Sequence, residues 1–232
     1  MKNRSRVQAF IIFIALIIAF IAIFYGEIQQ NAAETISTNQ FSEKIFIIDP
    51  GHGGEDGGAA SKSGTAESAI NLDISKRLDM LLAFYGASTQ MTRHDDSALH
   101  DEGISTVKGR KTSDLKNRAA FINSVPNAVL ISIHQNFFPQ SKYCGMQVFF
   151  GRDDASIKLA QNMQENVGIL NPENTRQAMK IQDSVYLMKH VTCPAVLVEC
   201  GFLSNPSDAQ KLETRSHQIK VSMTIAAACI TT

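Results

Sequence analysis

Two histidines and a glutamate each stand at the end of a short apolar run. Ile45-Phe46-Ile47-Ile48 leads through Asp49-Pro50-Gly51 into His52, Ala128–Ile133 ends at His134, and Ala195-Val196-Leu197-Val198 ends at Glu199. Two imidazoles and one carboxylate, with a fourth position open, form the donor set of a catalytic zinc site. His52 and His134 lie 82 positions apart. That spacing excludes the arrangement in which one helix face supplies both histidines, so a shared site must be assembled by tertiary structure. Pattern alone leaves the carboxylate open. Glu67 and Glu199 both qualify, and Asp49, Glu55 and Asp56 lie close to His52 in the chain. Glu67 also reads as an acid at the first turn of a helix, where the helix dipole favours a negative charge.

Other chemistries have less support. There is no G-x-S-x-G elbow, and Cys200 beside Glu199 has no evident base to activate it. His94, His100, His190 and His217 fall in loops or helical stretches, where solvent-facing or structural roles are the simpler reading.

The elements that must position these residues follow from apolar patterning. Short apolar runs bounded by Gly and Pro read as buried strands. They predict strands over 44–49 and 128–133, a weaker one over 87–92, another over 145–150 and a last clear one over 195–198. Ile70, Ile74, Leu78, Leu81 and Leu82 share one helical face, and Gly86 ends that helix. Further helices are predicted over 114–123, with Arg118 at the centre, and over 155–167, 208–212 and 216–230. Residues 97–112 read as a long polar loop, and 186–188 as a short extended piece. Strands alternating with helices predict one α/β domain, a mostly parallel twisted sheet with helices on both faces. Sites in such sheets lie at the carboxyl ends of the strands, where His52, His134 and Glu199 fall. The loop after the first strand holds Gly51, Gly53, Gly54, Gly57 and Gly58. Such a loop is entropically expensive, and its openness suits close approach by other groups.

The rest of the chain bounds the setting. Residues 7–25 are almost wholly apolar, long enough to span a bilayer as a helix. Lys2, Arg4 and Arg6 precede them, which predicts the N-terminus inside and the remainder exported. A cleaved signal peptide is the rival reading. The expected organisation is a signal-anchor or signal peptide over 1–26, a polar linker over 27–42 and a catalytic domain over 43–232. Beyond residue 26 the chain carries 19 basic against 22 acidic residues, which gives no support for nucleic-acid binding. Cys144, Cys193, Cys200 and Cys229 show no C-x-x-C spacing, so a structural zinc cluster is not expected. Cys193 and Cys200 flank a predicted strand, and seven extended residues span roughly 23 Å, too far for a disulfide. Free, mostly buried thiols are expected.

Several segments together resemble the zinc-dependent N-acetylmuramoyl-L-alanine amidases of the amidase-3 type. They are Ile47–Ala59 (IIDPGHGGEDGGA), Ala66–Ser68 (AES), Thr92–Arg93, Leu115–Asn123 (LKNRAAFIN), Ile131–Asn136 (ISIHQN) and Tyr186–Asp208 (YLMKHVTCPAVLVECGFLSNPSD). The resemblance covers nearly all of 44–230 and is greatest to the germination-specific, spore-cortex branch. It implies zinc ligands at His52, Glu67 and His134 and a catalytic glutamate at Glu199. The implied reaction is hydrolysis of the amide between the lactyl group of N-acetylmuramic acid and L-alanine in peptidoglycan. It also implies an exported protein at the outer face of the cytoplasmic membrane, at the forespore cortex, where the reaction would precede muramic-δ-lactam formation. Asp49 or Asn136 would orient the ligands, and the glycines would admit a bulky glycan strand.

Two residues depart from the family pattern. Gln135 stands where a smaller or apolar residue is usual, and Cys200 where an apolar one is common. A polar side chain beside a zinc ligand bears on the site's shape, and a weakly held metal would call for an activating protein partner. The rival readings are a zinc peptidase acting within the stem peptide and a non-catalytic, membrane-tethered wall-binding protein.

Overall fold

The structure is a computed structural model and describes residues 43–231. The predicted anchor and the predicted linker lie outside the described residues. Among the described residues no helix is long and apolar enough to cross a membrane.

Six strands form one sheet in the order β2-β1-β3-β6-β4-β5. They are β1 (Ile45–Pro50), β2 (Ser88–Met91), β3 (Ala128–Asn136), β4 (Gln147–Phe150), β5 (Met179–Lys180) and β6 (Ala195–Phe202). The sheet is mixed but mostly parallel. Strands β2, β1, β3 and β6 run together, and β4 joins β6 antiparallel, with β5 parallel to β4. The helices are α1 (Glu67–Phe84), α2 (Val107–Ser124), α3 (Asp154–Leu170), α4 (Tyr186–His190), α5 (Pro206–Leu212) and α6 (Arg215–Thr231).

The central strands are apolar on both faces because helices cover both. Along β1, Phe46 and Ile48 enter the core shared with α1, α3 and α6, while Ile47 enters the core shared with α2 and α4. Strand β3 alternates likewise, with Val129, Ile131 and Ile133 on the first side and Ala128 and Leu130 on the second. This is the period-two alternation of a strand between two helical layers. Ile47 and Ile48 are fully buried, and each contributes about 1.5–3 kcal/mol by leaving water. The chain leaves β1 for β2 on one side and then crosses to β3 on the other. The crevice between the carboxyl ends of β1 and β3 is therefore a topological switch point.

Three elements differ from the sequence expectation. Helix α2 begins at Val107, inside the stretch expected to be a loop. Its first turns, Val107–Thr112, are mostly polar and carry no apolar face. Thr106 caps them by accepting from the Gly109 N–H, and Arg110 pairs with Glu55 of the glycine loop. Residues 186–190 form a helix, α4, not an extended piece. Leu187 and Met188 are buried against the α2 side of the sheet. The two-residue strand β5 has no apolar run to announce it. The cysteines are free, with Cys200 and Cys229 buried, Cys193 half-buried and Cys144 exposed.

Candidate metal centre

His52 sits just past β1 with φ +62°, a left-handed backbone that side-chain-bearing residues rarely adopt. Such a conformation costs about 1–3 kcal/mol and persists only where its surroundings dictate it. Here three successive carbonyls are tied down. The Pro50 carbonyl accepts from Arg93 Nε at 2.9 Å and from Arg118 at 3.0 Å. The Gly51 carbonyl accepts from Arg93 and from Asn71 Nδ2, each at 3.1 Å. The His52 carbonyl accepts from Arg118 at 2.7 Å.

Both guanidiniums are buried, and each has anionic or carbonyl partners. Arg118 pairs with Asp49 at 2.7 Å and Asp114 at 2.8 Å. Asp49 also accepts from Thr92 Oγ1 at 2.6 Å and Ser132 Oγ at 2.8 Å. Burial works against the Asp49 carboxylate, but the Arg118 charge and these hydrogen bonds outweigh it and hold its pKa below the usual value. Asp49 thus acts through Arg118 on the loop backbone rather than on the histidine rings. Asn136 is the second expected orienting residue, and the contact it makes is through its carbonyl, to Leu203 N–H.

Glu67 is the first residue of α1. Its Oε1 lies 3.0 Å from His134 Nδ1 and 3.4 Å from His52 Nε2. The two rings meet edge to face, with centroids 5.1 Å apart. The three residues each offer a ligand atom within 4.8 Å of the others. Backbone donors fix the carboxylate from behind: Ala59 N–H to Oε2 and Gln135 N–H to Oε1, both at 3.0 Å. Burial would raise the Glu67 pKa, but hydrogen bonds and charge from His134 and His52 hold it far below the carboxylate range. On the far side of His52, Nδ1 meets Asp56 Oδ2 at 3.0 Å. A carboxylate on the second ring nitrogen is what orients a metal-binding imidazole. Lys111 in turn holds Asp56 at 3.0 Å.

Two glycines make room for these side chains. A Cβ on Gly51 would lie 2.2 Å from the His134 ring, and one on Gly58 (φ +69°) 2.6 Å from Glu67 Oε2. At these two positions the openness that reads as access for a glycan is filled by the protein's own side chains.

Glu199 lies on β6 directly opposite His134 on β3. Its Oε2 is buried and has no hydrogen-bond partner among the described residues. Burial dominates its titration and the Glu67 charge adds to it. Nearby His134 and His52 offset part of this, and the pKa is pushed up to about 7.

The donor set fits a zinc ion. Two nitrogens and a carboxylate oxygen converge, and their 3.0 and 3.4 Å separations are of the size adopted by donors about 2.0–2.2 Å from one tetrahedral ion. The geometry brings together His52, Glu67, His134 and, on the neighbouring strand, Glu199. His94 and His190 are exposed, and His100 and His217 are half-buried. None of these four joins the cluster. Sequence reasoning missed the roles of Asp56, Asn71, Arg93 and Arg118. Asn71 had a signal, since it lies one turn after Glu67 on the same helix flank.

Comparison with known proteins agrees with this geometry. The family model described as N-acetylmuramoyl-L-alanine amidase (Amidase_3) matches residues 46–231. The chain is 40% identical over 185 residues to the germination-specific N-acetylmuramoyl-L-alanine amidase of Bacillus subtilis, covering 79% of this chain and 77% of that one. It is 28% identical over 204 residues to the probable cell wall amidase LytH of Staphylococcus aureus, covering 86% of this chain and 62% of that protein. Among solved structures it resembles the CwlD amidase of Clostridioides difficile in complex with the GerS lipoprotein. That match has a TM-score of 0.76 and 38% identity, and covers 80% of this chain and 96% of that one.

Proposed function

The chain belongs to the N-acetylmuramoyl-L-alanine amidase family, and we propose that it works as a zinc enzyme with His52, Glu67 and His134 as ligands and Glu199 as the proton-transfer group. It is a peptidoglycan hydrolase of the germination-specific kind. It cleaves the amide joining the lactyl group of N-acetylmuramic acid to L-alanine. The observation that carries the zinc reading is the convergence of the three ligand atoms within 4.8 Å, with Glu199 one strand away.

A zinc ion held by this set supplies a Lewis acid for the scissile carbonyl and an acidified water. The chain's own residues do the rest. Asp56 holds His52 in the tautomer that presents Nε2 inward. The Ala59 and Gln135 N–H groups hold Glu67 as a carboxylate at its place. Glu199 takes the proton of the attacking water at its carboxylate and delivers it to the leaving alanine nitrogen, which needs that proton to depart as an amine. A carboxyl whose pKa is pushed up towards neutrality serves both steps at physiological pH.

The apolar segment 7–25 supports export, with the domain on the outer side of the membrane and action at the spore cortex. The lipoprotein bound to the C. difficile relative supports a protein partner for this chain as well.

The test is to load the apo protein with zinc, digest peptidoglycan and identify the fragments by mass spectrometry. The reading expects intact stem peptides with a free L-alanine amino end. Cleavage inside the stem peptide would instead indicate a peptidase.

A further inference from the structure

Gln135 and Cys200, the two departures from the family pattern, meet inside the protein. The pleat sends neighbours on a strand to opposite faces. His134 and Glu199 pair across β3 and β6. Gln135 and Cys200 follow them in the chain and turn to the other face, under α1. Gln135 and Cys200 are each 3% exposed, and Asn71 is fully buried.

Hydrogen-bonding capacity fixes the direction of the chain they form. The Gly51 carbonyl and the Glu67 carboxylate only accept, so Asn71 turns Nδ2 to them, at 3.1 and 3.4 Å. Asn71 Oδ1 must then face a donor, which is Gln135 Nε2 at 3.0 Å. Gln135 Oε1 is left as a buried acceptor with no hydrogen-bond partner among the described residues. The Cys200 thiol donates instead to the Val198 carbonyl at 3.8 Å, and burial raises its pKa. Gln135 N–H also donates to Glu67 Oε1 at 3.0 Å, so Glu67, Asn71 and Gln135 close a ring.

We propose that Gln135 and Asn71 form a hydrogen-bonded relay that positions Glu67 and the Gly51 carbonyl, so that zinc affinity is set partly by side chains that never touch the ion. The inference rests on His52, Glu67 and His134 being the ligands. Asn71 and Gln135 are positioning residues, not catalytic ones. A leucine at 135 would fill the same space but leave Asn71 Oδ1 without its donor and Glu67 free to turn.

The test is zinc affinity, measured by competition with a chromogenic chelator, beside thermal unfolding of the apo proteins. Gln135→Met keeps length and volume while removing both polar ends, and it is expected to weaken zinc binding about 10–100-fold, the usual effect of losing an outer-shell partner. A Gln135→Met protein within about twofold of the parent in zinc affinity, far short of an outer-shell effect, would overturn the relay even if its apo form were less stable. A parent protein whose zinc binding ignored Glu67→Ala would refute the ligand assignment itself, and the relay with it.

Discussion

Glu67 and Glu199 are two carboxylates at the same end of one sheet, and their surroundings drive them apart. Glu67 starts a helix, and two backbone N–H groups, an amide side chain and two imidazoles surround its oxygens. Its charge is stabilised from every side, so it stays ionised. Glu199 lies in a strand with one oxygen buried and unpartnered, and its pKa is pushed up to about 7. A permanently ionised carboxylate suits a metal ligand, and one poised near neutrality suits proton transfer. The comparison teaches that residue type does not assign these roles. The density of hydrogen-bond donors does.

The comparison can be broken most sharply at Glu67. Glu67→Ala is expected to lose zinc altogether, measured by metal analysis after dialysis, and to show no more amidase activity than the chelator-treated parent. Retained zinc in that variant would mean that another carboxylate supplies the third bond. Glu199→Gln should separate binding from chemistry. It is expected to keep its zinc while kcat falls by about 10²–10⁴-fold, the range for a lost general acid–base. A Glu199→Gln protein of normal kcat would remove Glu199 from the mechanism.

The frame under both glutamates has its own test. The folded pKa of Asp49 lies below its unfolded value, so its contribution to stability is complete above about pH 4 and is lost as pH falls through the folded pKa. Asp49→Asn is expected to cost about 3–5 kcal/mol at pH 7, because it leaves a buried guanidinium short of a partner. It should also flatten the fall in urea-unfolding midpoint between about pH 4 and 2. An acid limb as steep as the parent's would show that Asp49 is not what responds there. The smallest expected effect is at Asp56. Asp56→Asn is expected to weaken zinc binding about tenfold by loosening the His52 ring, read by chelator competition, with little change in fold stability. Unchanged affinity would mean that the loop backbone alone orients the ring.

Much of this arrangement was legible in the residues themselves. The runs at 45–48, 128–133 and 195–198 announced the three parallel strands that carry the site, because strands covered on both faces must be apolar at nearly every position. Ile70, Ile74 and Leu78 announced α1 by their spacing. The start of α2 stayed hidden because Val107–Thr112 is held by a cap and an ion pair, neither of which leaves an apolar period. Helix α4 was too short for its period to show. At the site, His52, His134 and Glu199 were visible where apolar runs stop, although β3 and β6 continue past the latter two to Asn136 and Phe202. Choosing Glu67 over its acidic neighbours needed the family resemblance. The tie between Asn71 and Gln135 was out of reach, since it depends on which face of β3 a side chain takes relative to a helix 64 residues away in sequence.

The most direct test of the central claim is a crystal structure of the zinc-loaded protein with the ion located by its anomalous scattering. The account predicts one ion bonded to His52, Glu67 and His134 at about 2.0–2.2 Å, with Glu199 beside it and unbonded. An ion coordinated by Glu199 in place of Glu67 would contradict the division of roles between the two carboxylates.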